Sequence, residues 1–176
     1  MQKRLVVFDL DETLVHAREE PLAVKPLARV GLYWVYLRPH AHRLLSFAAS
    51  NFDVGFWSSS SAAYVAQVLA ALLPADFDVK FVWAAERCVQ RPNPASGGYA
   101  YIKDLRKLRR FGYLADEIIM VDDSPEKVAR QPRSHLLVAP FFGDPKDVEL
   151  LAVERTLAFL CGNASGDGSQ EDALSA

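Results

Sequence analysis

The chain has 176 residues, 51% of them hydrophobic and 24% charged, which fits one domain of ordinary size with a real buried core. Its formal net charge of -2 argues against a protein built to neutralise nucleic-acid phosphates, and its two cysteines, Cys88 and Cys161, match neither a thiolate metal spacing nor a disulfide framework. No apolar stretch approaches the ~20 residues of a membrane helix, and the run at residues 5–8 is too short for the hydrophobic region of a signal peptide. These features predict a soluble, cytoplasmic protein without a membrane partner.

The first apolar run, residues 5–8, does not alternate with polar residues and so reads as a strand buried on both faces. Residues 17–37 contain Pro21 and Pro26 and then the aromatic-rich stretch 32–37, and read as a hairpin beside that strand's exit. A helical pattern at 40–50, a strand at 54–57, a helical pattern at 62–73 and a strand at 79–83 follow. Pro92, Pro94, Gly97 and Gly98 make residues 89–99 a loop or short hairpin. Next come a helical pattern at 100–111, strands at 118–121 and 136–138, and a helical pattern at 146–160. The small, polar, acidic residues 162–176 are expected to form a disordered tail. Strands alternating with helices predict an α/β domain with a mostly parallel sheet, in which ligands bind beyond the carboxyl ends of the strands.

Chemistry-bearing residues stand at those ends. Asp9, Asp11 and Glu12 follow the first strand, and crowding them costs electrostatic energy unless a cation offsets it. A hard dication with oxygen ligands, magnesium above all, would do so. Asp9 is placed to attack phosphorus and Asp11, two residues on, to exchange a proton with the leaving oxygen and then with water. The plainer alternative is that Asp11 or Thr13 caps a turn. A second pair, Asp122 and Asp123, follows the strand at 118–121 and precedes Ser124 and Pro125, which suit a helix cap and first helical position. Two acidic strand ends side by side would form a carboxylate cage for one metal ion. A phosphate there needs a facing cation, for which Lys103 is the candidate; alternatively it is one more solvated charge of the basic helical stretch 103–110. Ser58 offers a hydroxyl and a backbone N–H to a phosphate oxygen, or else caps the helix near Ala62, with Ser59, Ser60 and Ser61 competing. His16, His40, His42 and His135 show no metal spacing and read as structural.

Val6-Val7-Phe8-Asp9-Leu10-Asp11-Glu12-Thr13-Leu14-Val15 resembles the first motif of the haloacid dehalogenase superfamily, in the form found in the small RNA polymerase II C-terminal-domain phosphatases of the NLI-interacting-factor-like family. Leu37-Arg38-Pro39-His40, Trp57-Ser58-Ser59-Ser60, Tyr101-Ile102-Lys103-Asp104-Leu105 and Met120-Val121-Asp122-Asp123-Ser124-Pro125 resemble the family's later blocks in order, and residues 141–150 its closing segment. The resemblance implies a three-layer, Rossmann-like α/β sandwich without a large cap domain, with residues 1–161 as the phosphatase domain. It implies Asp9 as nucleophile and magnesium ligand, Asp11 as acid/base with its backbone carbonyl on the metal, and Asp123 as the third ligand. Asp122 and Thr13 would support them, and Ser58 and Lys103 would hold the phosphate.

One departure bears on the substrate. The family's substrate-facing arginine falls on Ala85, leaving Arg87, and nearby Arg91, as possible replacements. A guanidinium's aim depends on where its backbone starts, so neither substitutes automatically. The expectation is a protein serine/threonine phosphatase acting on a phosphoprotein, with the stretch 32–37 as an apolar groove or as plain strand packing. The alternatives are a phosphatase of small metabolites or nucleic-acid 3′ ends, and last an inactive binding module.

Overall fold

Leu5, Val6, Val7 and Phe8 are all fully buried, so the first strand must be covered on both faces. The structure, a computed structural model, describes residues 3–94 and 97–163 and meets that demand. In chain order its elements are β1 (Leu5–Phe8), β2 (Val15–Arg18), β3 (Ala28–Val30), β4 (Tyr33–Leu37), α1 (Ala41–Asn51), β5 (Asp53–Trp57), α2 (Ala62–Leu72) and β6 (Phe81–Trp83). Then follow β7 (Val89–Asn93), β8 (Gly98–Ile102), β9 (Ile118–Asp122), β10 (His135–Leu137) and α3 (Glu149–Asn163). The central sheet has five parallel strands in the order β10-β9-β1-β5-β6.

The two faces of β1 seed two cores. Val6 and Phe8 pack with Leu44 and Leu45 of α1, Val65 and Leu69 of α2, and Val153 and Leu157 of α3. Leu5 and Val7 pack on the other side with Trp57, Trp83, Leu105, Leu108 and Val128. This is the expected three-layer α/β sandwich. Among the described residues no large cap domain covers the strand ends. The excursions are a three-stranded antiparallel sheet, β2-β4-β3, and the hairpin β7-β8.

Two parts of the chain differ from their sequence patterns. Residues 17–37 are not a simple hairpin: β4 sits between β2 and β3, and Val35 and Tyr36 are buried. The helix expected at 100–111 does not form. Residues up to Ile102 pair with β7 from Val89↔Ile102 to Asn93↔Gly98 instead, and a 3₁₀ turn runs from Leu105 to Phe111. The physical reason is spacing: Leu105, Leu108 and Phe111 are three apart, a period that three residues per turn align on one face. Leu105 and Leu108 are buried, and the Phe111 ring stacks on Phe81 with centroids 5.2 Å apart. The Asp104 carboxylate caps the turn by accepting the Arg106 N–H, and Gly112 ends it at φ 92°. The helix at the end of the chain runs through Asn163, past residue 161; the rest of the expected tail, 164–176, lies outside the described residues.

Candidate active site

Strands β9, β1 and β5 are neighbours, so Asp9, Ser58, Asp122 and Asp123 emerge together at their carboxyl ends. The chain leaves β1 with the Asp9 N–H donating to Val121 O at 2.9 Å. Leu10 turns into the core covered by α1, α2 and α3, while Asp9 points the other way, toward Lys103. The N–H groups of Thr13, Leu14 and Val15 then all donate to Leu10 O, folding the loop back on itself. Glu12 sits in this loop at φ 60°, a left-handed conformation uncommon for a residue with a Cβ. From beneath, the fully buried Arg38 guanidinium fixes the loop by donating to Thr13 O at 3.1 Å and to both Asp147 oxygens at 2.9 Å.

Lys103 is not a solvated helix charge. It follows β8, its N–H donates to Lys127 O at 2.7 Å, and its fully buried ammonium lies 2.6 Å from Asp9 Oδ1 and 2.6 Å from Asp122 Oδ2. Replacing a buried ion pair with apolar side chains is often neutral or stabilising, so such a cluster is weak evidence for stability. Asp9 is 1% exposed. Burial pushes its carboxyl above the ordinary value against the pull of Lys103, and the Asp122 charge adds to the rise.

Asp122 has both oxygens engaged, one by Lys103 and the other by the Ser124 N–H at 2.9 Å. Asp123 accepts the Ser124 hydroxyl at 3.0 Å on one oxygen. Ser124 therefore does not act as the expected side-chain cap of the turn Pro125–Val128; its polar groups serve the two aspartates. Asp9, Asp122 and Asp123 present oxygens within 4.8 Å of one another. An all-carboxylate donor set fits a hard dication such as magnesium and not a metal that prefers thiolate or imidazole. Thr13 Oγ1 lies 3.4 Å from Asp9 Oδ2, its hydroxyl directed at the carboxylate.

Asp11 faces α2. It accepts the Tyr64 hydroxyl at 2.5 Å and the Ser60 hydroxyl at 2.7 Å, with Ser58 Oγ at 3.5 Å. Burial raises its carboxyl above the ordinary value although both hydroxyls favour the charged form. Burial and the charges of Asp11, Asp123 and Asp9 push Glu12 up to about 7. Ser58 is fully buried and keeps its hydroxyl beside Asp11, but its N–H donates to Trp83 O at 3.0 Å. That N–H is therefore spent on the strand exits and is not offered to a ligand. The cap of α2 is Ser61, which accepts the Tyr64 N–H.

Two participants, Lys127 and Tyr64, carry no sequence signature of their own. Lys127, on the turn after Asp123, brings its ammonium to 4.0 Å from Asp9 Oδ2. Burial opposes its charge, but the carboxylates of Asp9, Asp122, Asp123 and Asp11 outweigh it and raise its pKa. Only the folding of α2 against the first loop brings Tyr64 to Asp11, beside Ser60, which the sequence offers only as a competitor of Ser58. With Glu12, Tyr33, Ser59 and Ser61 these residues line an open cleft of about 440 Å³. Tyr33, from the aromatic run, stands edge-on to Tyr64 with centroids 6.5 Å apart, while Val35 and Tyr36 of that run are buried as strand packing. Arg87 is not among the lining residues: its guanidinium lies over the Trp83 ring at 5.7 Å. The histidines are structural or peripheral in their contacts, with His42 against Leu72 O at 3.2 Å and His135 against Asp122 O at 2.9 Å. His16, which shows no partner in the sequence, meets Glu12 at 3.1 Å.

A parallel sheet of five strands packed between two layers is the haloacid dehalogenase-like fold. Solved structures share it: the RNA polymerase II C-terminal-domain phosphatase Fcp1 superposes with a TM-score of 0.60 at 15% identity, covering 97% of this chain and 55% of that one. A haloacid dehalogenase-like hydrolase from Xanthomonas campestris superposes with a TM-score of 0.58 at 11% identity, covering 94% and 99%. Within that fold the chain belongs to the NLI interacting factor-like phosphatase family, which it matches over residues 4–167. CTD small phosphatase-like protein 1 of Caenorhabditis elegans is 32% identical over 174 residues, 93% of this chain and 33% of that protein. The human CTD small phosphatase-like protein is 33% identical over 157 residues, 85% and 53% respectively. The chain thus spans about a third to a half of these curated relatives. The family is one of phosphatases, hydrolases of phosphoric monoesters.

Proposed function

We propose that this protein is a magnesium-dependent phosphatase that works through an aspartyl-phosphate on Asp9 and acts on phosphoserine or phosphothreonine in protein segments. The observation that carries this reading is the Lys103 ammonium, held 2.6 Å from both Asp9 and Asp122 with no access to solvent. Such a cluster is expensive to desolvate and cheap to replace by apolar packing, so its retention points to chemistry.

Asp9 and Asp123, with the Asp11 backbone carbonyl, would hold the magnesium ion. Bound there, the ion would neutralise phosphoryl charge and let an anionic nucleophile approach an anionic substrate. Asp9 attacks phosphorus, and the substrate's ester oxygen leaves with a proton from Asp11. Asp11 then takes a proton from water, whose oxygen attacks the aspartyl-phosphate; inorganic phosphate departs and the Asp9 carboxylate is restored. Burial that raises the Asp11 carboxyl suits it to start this cycle as the acid. Asp122 orients Lys103, Thr13 steadies Asp9, and the Ser58 hydroxyl and Lys103 bind phosphoryl oxygens.

A protein substrate is supported by the open cleft, which Tyr33 and Tyr64 help to line, and by relatives named as CTD phosphatases. Cys88 and Cys161 carry free thiols, which fits a reducing compartment such as the cytoplasm. No helix among the described residues is long and apolar enough to cross a membrane.

The test is hydrolysis of p-nitrophenyl phosphate with magnesium, expected to vanish on chelation and in Asp9→Asn. A wild-type protein inert toward every aryl phosphate across a range of pH would leave a binding module. In a panel of phosphopeptides, sugar phosphates and 3′-phosphorylated oligonucleotides, peptides should give the highest kcat/KM. A lead of orders of magnitude for sugar phosphates or oligonucleotides would overturn the protein-substrate assignment.

A further inference from the structure

A phosphoryl group on Asp9 carries about two negative charges over three peripheral oxygens. Lys103 meets it only from the buried side, and its ammonium is already shared between Asp9 and Asp122. Lys127 approaches the other carboxylate oxygen of Asp9 and lines the open cleft. Its turn is pinned by Pro125 at the first position, by its own N–H donating to Ser124 O at 3.1 Å, by its carbonyl accepting the Lys103 N–H, and by the fully buried Val128. Its ammonium stands 4.0 Å from Asp9 Oδ2, the oxygen that Lys103 does not hold. Among the described residues this ammonium donates no hydrogen bond within the protein, and it is the one lysine or arginine lining the cleft.

The arginine that the family resemblance would place at Ala85 is missing, and Arg87 is stacked on Trp83. A second cation for the substrate has to come from elsewhere. We infer that Lys127 is that cation, contacting the phosphoryl group from the cleft side while Lys103 holds it from the buried side. The inference deepens the phosphatase reading and rests on it.

An ammonium is a compact point charge, and at 4.0 Å from Asp9 Oδ2 this one lies within reach of a phosphoryl group carried on Asp9, whatever the rest of the substrate. Its contribution is the same for a phosphopeptide and for a small aryl phosphate. A plain alternative gives Lys127 only the task of balancing the surrounding aspartates. Those two roles separate by experiment, because a counter-charge competes with the metal, whereas a phosphoryl-binding group does not touch metal affinity through the substrate.

Binding of inorganic phosphate in the presence of magnesium is measured by calorimetry for the full chain and for Lys127→Met, Lys127→Gln and Lys127→Arg, alongside half-saturation by magnesium and urea unfolding. Loss of a charge-assisted hydrogen bond predicts that Met and Gln weaken phosphate at least ~10-fold. Arg should recover most of that loss. With p-nitrophenyl phosphate the same variants should raise KM by a similar factor. Phosphate affinity unchanged in a folded Met or Gln variant overturns the inference, whether or not magnesium then binds more tightly. So does a wild-type protein that binds no phosphate. If the wild type binds phosphate in a Lys127-dependent way yet hydrolyses nothing, the phosphatase reading fails and the binding assignment stands.

Discussion

Asp104, the residue after Lys103, offers a test of how the buried lysine is held in place. It is 5% exposed, and its carboxylate accepts the Arg106 N–H at 3.2 Å, Arg106 Nε at 2.9 Å, Arg106 Nη2 at 2.6 Å, Arg130 Nη1 at 2.5 Å and Gln131 Nε2 at 3.2 Å. Gln131 also accepts the Leu105 N–H at 2.9 Å, so this cluster ties the strap carrying Lys103 to the segment carrying Lys127. The perturbation is Asp104→Asn, which keeps the shape and removes the charge. The Arg106 side chain is 64% exposed and its ion pair is worth little, so most of the loss comes from Arg130 and the strap. Charge-assisted hydrogen bonds of this kind give a total of about 1–3 kcal/mol, or about 3–10 °C in Tm for a chain of this size. Hydrogen bonds from Arg106, together with Arg130, hold the Asp104 carboxyl well below its ordinary value of 3.8 in spite of burial. A carboxyl depressed in the folded state stabilises it fully above the unfolded value, and that contribution fades as pH falls toward the folded value. The gap between wild type and variant, read as urea midpoints, should be complete at neutral pH and narrow below about pH 4. Equal midpoints at pH 7, or a gap that persists unchanged to pH 3, would refute this account of the cluster.

Other perturbations follow from the same contacts. Lys103→Met leaves Asp9 and Asp122 buried without their cation, and urea unfolding at pH 7 should show a loss of about 3–5 kcal/mol, together with loss of turnover. A Cβ at Gly55 would lie 2.5 Å from the Phe81 ring, which is held by stacking on Phe111. Gly55→Ala should therefore lower stability by about 1–3 kcal/mol, seen as a lower Tm, while Asp9 and Lys103 stay in place and kcat changes little.

Much of the site was legible because its residues sit at the ends of apolar runs too continuous for a one-sided strand. Leu5–Phe8 and Ile118–Asp122 are buried throughout, and the acidic pairs after them could go nowhere but the exits of adjacent parallel strands. The helices α1 and α2 were likewise readable from their 3.6-residue apolar spacing. The stretch 100–111 misled because Leu105, Leu108 and Phe111 fit three residues per turn as well as a longer helical period, and the pairing of Ile102 with Val89 leaves no local mark. Ser58 was placed correctly at its strand exit, but the use of its N–H depended on Trp83 of the neighbouring strand.

What the sequence determined alone, then, is the inventory: which segments must be buried on both sides, and which acids, hydroxyls and lysine stand at their ends. Which side chain meets which is settled by the folded packing. Lys103 reaches Asp9 across 94 residues, Tyr64 reaches Asp11 across 53, and Lys127 leans over the oxygen that Lys103 leaves free. Local periodicity records burial, which each residue pays or gains largely by itself. An ion pair is a property of two distant residues, and it exists only once the sheet has set their strand ends side by side.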